Sequence, residues 1–134
     1  MKVFLGGTCA GRKWRDEIIP FLHCNYYNPI VKNWSEEDRL REVHERQTAD
    51  YVLYVLTSDM NGVYSIAEVI DDSNKRPNKT ILCVLYDGFG PGMTRSLHAV
   101  ENLARENGAK VCANLDEVIK FLNTAQTVSE AFKW

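Results

Sequence analysis

The sequence predicts one α/β domain built on a five-stranded parallel sheet. Apolar runs typical of strands alternate five times with segments in which apolar residues recur at helical spacing. Right-handed crossovers between parallel strands then place helices on both faces of the sheet. A chain of 134 residues is long enough to bury one substantial core. Together these observations predict a flavodoxin-like three-layer sandwich with strand order 2-1-3-4-5.

The amino-terminal part predicts a strand, a glycine-rich loop and a helix. Lys2–Leu5 is an apolar run, residues 6–13 (GGTCAGRK) form the loop, and helical spacing begins at Trp14, with Pro20 as a kink or an early end. Glycines after a first strand let backbone N–H groups approach an anion, and Arg12 could pair with a phosphate. The alternative is a tight turn with solvated basic residues.

The second and third strands enclose a polar helix. His23–Tyr27 is predicted as the second strand, and Ser35 as the N-cap of a helix that runs to about Thr48. Tyr51–Leu56 is a nearly continuous apolar run, which is typical of a strand buried on both faces. The chain then breaks at the polar turn of residues 57–62.

The helix after this turn carries the candidate nucleophile, Glu68. Apolar residues return at helical spacing from Val63, so Glu68 falls within the first two turns. A carboxylate there lies near the positive end of the helix dipole, which favours its ionised form and suits a nucleophile. The alternative is an acid that serves helix stability alone.

The carboxyl-terminal half continues the alternation. A buried strand is predicted at Thr80–Tyr86, followed by a glycine-rich loop at Asp87–Gly92 and a helix at Met93–Glu106. An edge strand at Lys110–Cys112 and a capped helix at Asn114–Leu122 complete the domain. The loop is interpreted either as a ligand-facing lid or as a long surface turn. Residues 1–124 are predicted to form the domain, and residues 125–134 a tail that packs on a neighbouring subunit or frays.

Composition excludes several classes of function. The net charge of −2 argues against non-specific nucleic-acid binding, and no apolar run is long enough for a bilayer. The four cysteines show no Cys-x-x-Cys pair and no histidine at ligand spacing, so neither a metal site nor a disulfide scaffold is expected. No cofactor is expected, and a reducing cytoplasm fits this cysteine usage best.

The predicted strand order brings two distant loops together. In order 2-1-3-4-5 the switch point lies between the first and third strands, where ligands bind at the carboxyl ends. The loop of residues 6–13 and the turn before Glu68 both follow these strands, so we expect them to share one crevice.

Two motifs resemble the nucleoside 2-deoxyribosyltransferase superfamily, including its deoxynucleotide N-glycosidase members. Residues 3–12 (VFLGGTCAGR) are similar to the family's loop after strand one, and residues 49–68 to its pattern of Ala-Asp, apolar strand, polar loop, small residues and Glu. The resemblance covers about the first 100 residues. It implies a glutamate nucleophile, a glycosyl-enzyme ester and a nucleoside or nucleoside 5′-monophosphate substrate.

The resemblance also implies the other site residues. Glu68 aligns with the nucleophile, Glu42 with the base-contacting acid, and Asp59 or Asn61 are candidates for proton delivery because Gly62 occupies the position of the usual acid. The remaining substrate-binding candidates are Gly6, Gly7, Thr8, Gly11, Arg12, Asp50, Ser65, Met93 and Ser96. Phe4 occupies the place of a tyrosine that often touches the nucleophile.

Family members complete their pockets with residues of a neighbouring subunit, so the resemblance implies a homodimer or a larger homo-oligomer. Met93, Ser96 or the stretch 132–134 would play that part. Two other functions remain open. One is an NAD glycohydrolase, and the other is a non-catalytic nucleotide-binding module, which the loss of the tyrosine and the acid favours.

Overall fold

Five parallel strands form the central sheet. A computed structural model of the chain describes residues 1–132. The strands are β1 (Lys2–Gly7), β2 (Asn25–Tyr27), β3 (Tyr51–Leu56), β4 (Thr80–Val84) and β5 (Lys110–Cys112). They are ordered β2-β1-β3-β4-β5 with every neighbouring pair parallel, which confirms the predicted flavodoxin-like architecture.

Helices cover both faces of this sheet. They are α1 (Trp14–Ile18), α2 (Glu36–Thr48), α3 (Tyr64–Lys75), α4 (Pro91–Glu106) and α5 (Leu115–Ala131). One core cluster joins the sheet to α1 and α5 through Trp14 and Leu122. The other joins it to α3 and α4 through Val69 and Leu97. Alternate residues of each central strand enter opposite clusters, which explains the continuous apolar runs in the sequence.

The predicted helix starts are confirmed by their caps. Ser35 Oγ accepts a hydrogen bond from the Asp38 amide, and the Asp38 carboxylate accepts one from the Ser35 amide. Asn114 Oδ1 accepts the Glu117 amide at 2.9 Å. Each cap satisfies amides that the first turn of a helix leaves free. Pro20 ends α1, since residues 19–21 form a 3₁₀ turn.

Five element boundaries differ from the predicted ones. β1 extends to Gly7 and α4 begins at Pro91. β2 begins at Asn25 because the His23 amide donates instead to Asn123 Oδ1. β4 ends at Val84, and the hydroxyl of Tyr86 donates to the Glu101 carboxylate. The helix predicted to end near residue 122 continues as α5 to Ala131, since the segment contains neither glycine nor proline. The proposed role of residues 133–134 in a neighbour's pocket lies outside the described residues.

Residues 87–90 form a surface turn, and Pro91 and Gly92 already belong to α4. Phe89 packs into the core cluster beneath α4, and the Phe89 amide donates to the Tyr86 carbonyl at 3.1 Å. The structure thus shows an ordered turn whose Phe89 ring is partly buried against the core, and the interpretation as a ligand-facing lid stays a prediction.

Within residues 1–132, no helix combines the length and the apolar character needed to cross a bilayer.

Candidate active site

The loop after β1 and the turn after β3 are hydrogen-bonded to each other. The Thr57 amide donates to Thr8 Oγ1 at 3.0 Å, and both residues are buried. The Arg12 amide donates to Asp59 Oδ2 at 2.9 Å. Because β1 and β3 are neighbours in the sheet, the segments that follow them meet at its carboxyl edge. The predicted convergence of these two loops is therefore confirmed.

A cavity of about 480 Å³ opens where these loops meet. Glycine backbone, two carboxylates and three aromatic rings contribute to its lining: Gly6, Gly7, Glu42, Glu68, Phe4, Trp34 and Tyr54. We call this cavity the cleft. Its volume lies within the range of small-molecule sites, and its residues come from both sides of the switch point.

A smaller cavity of about 290 Å³ adjoins the cleft. The two share three lining residues, Gly7, Cys9 and Ser65. Its other walls include Thr8, Asn61 and Gly62 and the start of α3. We call it the side cavity. A ligand in the cleft can extend past Ser65 into the side cavity, toward the free backbone amides at the N-terminus of α3.

Glu68 lies on the wall of the cleft with 22% of its side chain exposed. Burial raises the pKa of its carboxyl group; Arg46 acts in the opposite direction, while Asp72 and Glu42 raise the pKa further. Glu68 Oε2 is 3.6 Å from Arg46 Nη1, which is longer than a hydrogen bond. The carboxylate is thus poorly hydrated yet not held by a close ion pair.

A buried ionic network lies behind Glu68. Asp72 is fully buried and accepts hydrogen bonds from Tyr54, Arg46 and Arg76. Burial by itself would raise the pKa of Asp72, but these three donors outweigh it and the net pKa is lowered. The burial of Tyr54 and its bond to this carboxylate raise the pKa of the phenol well above its usual value.

Glu42 and Trp34 form another wall of the cleft. The Trp34 indole Nε1 donates to Glu42 Oε1 at 3.2 Å, and 57% of Trp34 is exposed. This arrangement offers a flat apolar face beside a carboxylate acceptor. A heterocyclic base with exocyclic N–H donors matches both features. The sequence did not identify Trp34 as a site residue, because the apolar residues around it show neither helical nor strand spacing.

Two predicted site residues are turned away from the cleft. Asp59 lies against Gly11, where it accepts the Arg12 amide, so it supports the loop and does not reach Glu68's cavity. The Arg12 guanidinium forms a two-bond pair with Glu17, at 2.7 and 2.8 Å, and lines a different cavity, beside Asp87. The structure therefore places Asp59 and Arg12 outside the cleft, and Gly11 does not line it; their roles in catalysis and in substrate contact stay predictions.

Asp50 is at the opposite edge of the sheet. It precedes β3, and its carboxylate accepts the Lys2 amide at 2.8 Å. Ligand sites of parallel sheets lie at the carboxyl ends of the strands, whereas Asp50 marks an amino end. The structure therefore places Asp50 away from the cleft, where its hydrogen bonds with Lys2 join β1 to the start of β3.

Met93 and Ser96 are exposed on α4 and do not line the cleft of their own chain. In contrast, Gly6, Gly7, Glu42, Ser65 and Glu68 all line the cleft. The candidates Thr8, Asn61 and Gly62 line the side cavity. The sequence-based set therefore divides into one connected group at the switch point and a smaller group outside it.

Arg15 is a cleft residue that the sequence did not reveal. It is 5% exposed, lines the cleft, and its guanidinium donates to the carbonyl oxygens of Leu5 and Thr8 at 3.0 and 2.9 Å. The indole of Trp14 donates to the same Thr8 carbonyl at 2.8 Å. Arg15 therefore fixes the glycine loop from inside. Its position on the apolar face of the first helix was the available signal.

Within residues 1–132, no group of three or more His, Cys, Asp and Glu side chains is arranged to hold a metal ion. The four cysteines are free thiols, of which Cys9 is exposed at the junction of the two cavities.

No family model and no curated protein sequence matches the chain. The functional conclusion therefore depends on the geometry and chemistry of the cleft.

Proposed function

We propose that the protein cleaves or transfers the N-glycosidic bond of a (deoxy)nucleoside or nucleoside 5′-monophosphate, with Glu68 as the nucleophile. The observation that carries this proposal is the state of Glu68. Its carboxylate is largely desolvated, lines a cleft of nucleoside size and has no hydrogen-bond partner among residues 1–132. A carboxylate of this kind is available to attack, because its described charged partner, Arg46, approaches only to 3.6 Å and leaves the oxygen lone pairs free.

The reaction proceeds by two displacements. A Glu68 oxygen forms a bond to the anomeric carbon while the carbon–nitrogen bond breaks, and its electron pair leaves with the base nitrogen. The departing base takes up a proton from solvent, and the water or second base that attacks next releases one to solvent. Water, in a hydrolase, or a second base, in a transferase, then displaces Glu68 from the glycosyl ester. The ordinary advantage of this scheme is that one difficult step becomes two easier ones.

The walls of the cleft suit the parts of such a substrate. Trp34 offers a stacking surface for the base, and the Glu42 oxygen that does not accept the indole N–H is free for a base N–H. The sugar would lie over Gly6 and Gly7, where the absence of side chains allows close approach. A 5′-phosphate would extend past Ser65 into the side cavity.

Base release from a panel of nucleosides and nucleotides tests this function. Purified protein is incubated with the four common 2′-deoxynucleosides, the four ribonucleosides and their 5′-monophosphates, and free base is measured by chromatography. Glu68→Gln should abolish release. Glu37→Gln, an exposed acid at the start of α2, is the matched control and should leave the rate unchanged. Full activity in Glu68→Gln would remove Glu68 from the role of nucleophile.

Two other functions are outcomes of the same experiment. Nicotinamide release from NAD, added to the panel, would identify a glycohydrolase of NAD. Nucleotide binding by calorimetry without any product over hours would identify a non-catalytic binding module. Phe4 and Gly62 favour the non-catalytic module, since each stands where enzymes of the family that the chain resembles have a polar side chain.

A second copy of the chain is part of the proposal. Met93 and Ser96 are exposed at the start of α4, outside their own cleft, so they are available to a neighbouring subunit. Light scattering of the purified protein measures this, and the expected result is a dimer or larger homo-oligomer.

A further inference from the structure

Arg46 is fixed in place by a carboxylate and a phenol. Its Nε and Nη2 lie 3.0 Å from the two oxygens of Asp72, and Nε is also 3.0 Å from the Tyr54 hydroxyl. Only 19% of the Arg46 side chain is exposed. A guanidinium that donates two parallel hydrogen bonds to one carboxylate has a defined orientation, because both groups are planar and their spacing matches.

The remaining nitrogen of this guanidinium faces Glu68. Nη1 lies 3.6 Å from Glu68 Oε2, whereas the nitrogens bound to Asp72 approach to 3.0 Å. Asp72 follows Glu68 by four residues on α3, so both acids lie on one face of the helix. Arg46 therefore meets three carboxylates in two ways: Asp72 is hydrogen-bonded, whereas Glu68 beside Nη1 and Asp71 beside Nη2 each lie 3.6 Å away and feel only the charge.

We propose that Arg46 is a positioning residue for Glu68. Asp72 and Tyr54 hold the guanidinium, and its remaining edge keeps the Glu68 carboxylate ionised and directed into the cleft. At 3.6 Å the attraction stabilises the anion without occupying an oxygen lone pair that the nucleophile needs. This inference rests on the proposed function, in which Glu68 attacks the sugar.

The charges around Glu68 make the role of Arg46 specific. The ionisable groups that act on Glu68 are Glu42 and Arg46 from α2 and Asp72 from α3. The charge of Glu68 in turn raises the pKa of the Tyr54 phenol, which lies on β3. Burial and both of the other acids disfavour the Glu68 anion. Arg46 counters part of their effect, and the net pKa of Glu68 stays raised.

Carboxyl-carbon NMR of protein labelled in its glutamates tests the proposal without any substrate. The Glu68 signal is assigned from its absence in Glu68→Gln. Arg46→Met should shift the Glu68 titration midpoint upward by about one pH unit, as expected for loss of a cation at this distance. Arg39→Met is the matched control, since Arg39 lies on the same helix but pairs with the exposed Glu36, and the midpoint should not move. An unchanged midpoint in Arg46→Met would overturn the proposal.

Arg46→Met also leaves Asp72 buried with one partner fewer, which threatens folding. Arg46→Met/Asp72→Asn removes both charges and supplies a second test. Since Asp72 itself disfavours the Glu68 anion, the expected upward shift is smaller in this double variant but still present. A midpoint at or below the native value would contradict the role of Arg46.

Kinetics separate charge from orientation. Arg46→Lys keeps the charge but loses the planar fork, so kcat should fall about tenfold with KM unchanged. In Arg46→Met the acid limb of kcat should move to higher pH together with the NMR midpoint. If Glu68→Gln is active, the proposed function fails, but the NMR shift still decides whether Arg46 acts on Glu68. Native kcat in Arg46→Lys would contradict the orienting part.

Discussion

Glu68 and Asp72 lie one turn apart on α3, yet their surroundings shift their pKa values in opposite directions. Burial raises the pKa of Glu68, while three donors outweigh burial at Asp72 and lower its pKa. The helix therefore presents one carboxylate that is costly to ionise and open to a ligand, beside one that is stable as an anion. Acids with such divergent environments mark functional sites.

This contrast predicts opposite effects on stability. A raised folded-state pKa means that Glu68 favours folding at low pH and loses that contribution as pH rises, so Glu68→Gln should stabilise the protein by about 1 kcal/mol at pH 7. A lowered pKa means that Asp72 stabilises above its unfolded-state pKa, so Asp72→Asn should cost about 3 kcal/mol at pH 7.

Urea unfolding at pH 7 and pH 4 measures both effects. The gain from Glu68→Gln and the loss from Asp72→Asn should each shrink toward pH 4, as the unfolded chain takes up protons there. Greater destabilisation by Glu68→Gln than by Asp72→Asn at pH 7 would show that the assigned environments are wrong.

The bond between Thr8 and Thr57 predicts that the shape of the cleft depends on one hydroxyl. Thr8→Val removes the acceptor of a buried amide and should cost about 2 kcal/mol. Thr8→Ser keeps the hydroxyl and is the matched control. Thermal unfolding of the two variants compares them directly, and equal stability would mean that the Thr57 amide has another acceptor.

Gly7 is the position where the floor of the cleft tolerates no side chain. Its φ is +107°, and an added Cβ would lie 2.2 Å from the Val55 carbonyl oxygen. Gly7→Ala should therefore cost at least about 3 kcal/mol. Gly62→Ala is the control, because its added Cβ meets no atom within 4 Å, and its effect should stay within about 0.5 kcal/mol. Similar thermal midpoints for the two variants would contradict this backbone geometry.

The pairing of Arg12 with Glu17 predicts little role for Arg12 in binding substrate. Arg12→Ala should leave KM for 5′-monophosphates within about twofold of the native value. Ser65→Ala should raise that KM about fivefold, since Ser65 lies between the cleft and the side cavity. The reverse ranking of the two variants would return the phosphate contact to Arg12.

The fold was predictable because its signals are local and repeated. Apolar runs buried on both faces, the caps at Ser35 and Asn114, and the break at Pro20 each act within a few residues. The meeting of the two loops was also predictable, since strand order alone brings the carboxyl ends of β1 and β3 together.

The partners of charged side chains were harder to predict. Arg12 was read as a phosphate ligand, but Glu17, five residues later, already occupies its guanidinium. No local pattern in the sequence marks Arg46 as a site residue, because its partner Asp72 is 26 residues away. The place of Asp50 was predictable, since a residue before a parallel strand lies at the edge opposite the carboxyl ends, where ligands bind.

Detection of the glycosyl-enzyme ester tests the central claim most directly. The active substrate from the panel is mixed with excess enzyme and quenched in acid within one turnover, and the protein is digested for mass spectrometry. The expected result is a sugar attached to the peptide that contains Glu68, and no adduct in Glu68→Gln. Rapid base release with an unmodified Glu68 peptide, or with the sugar on another residue, would contradict the account.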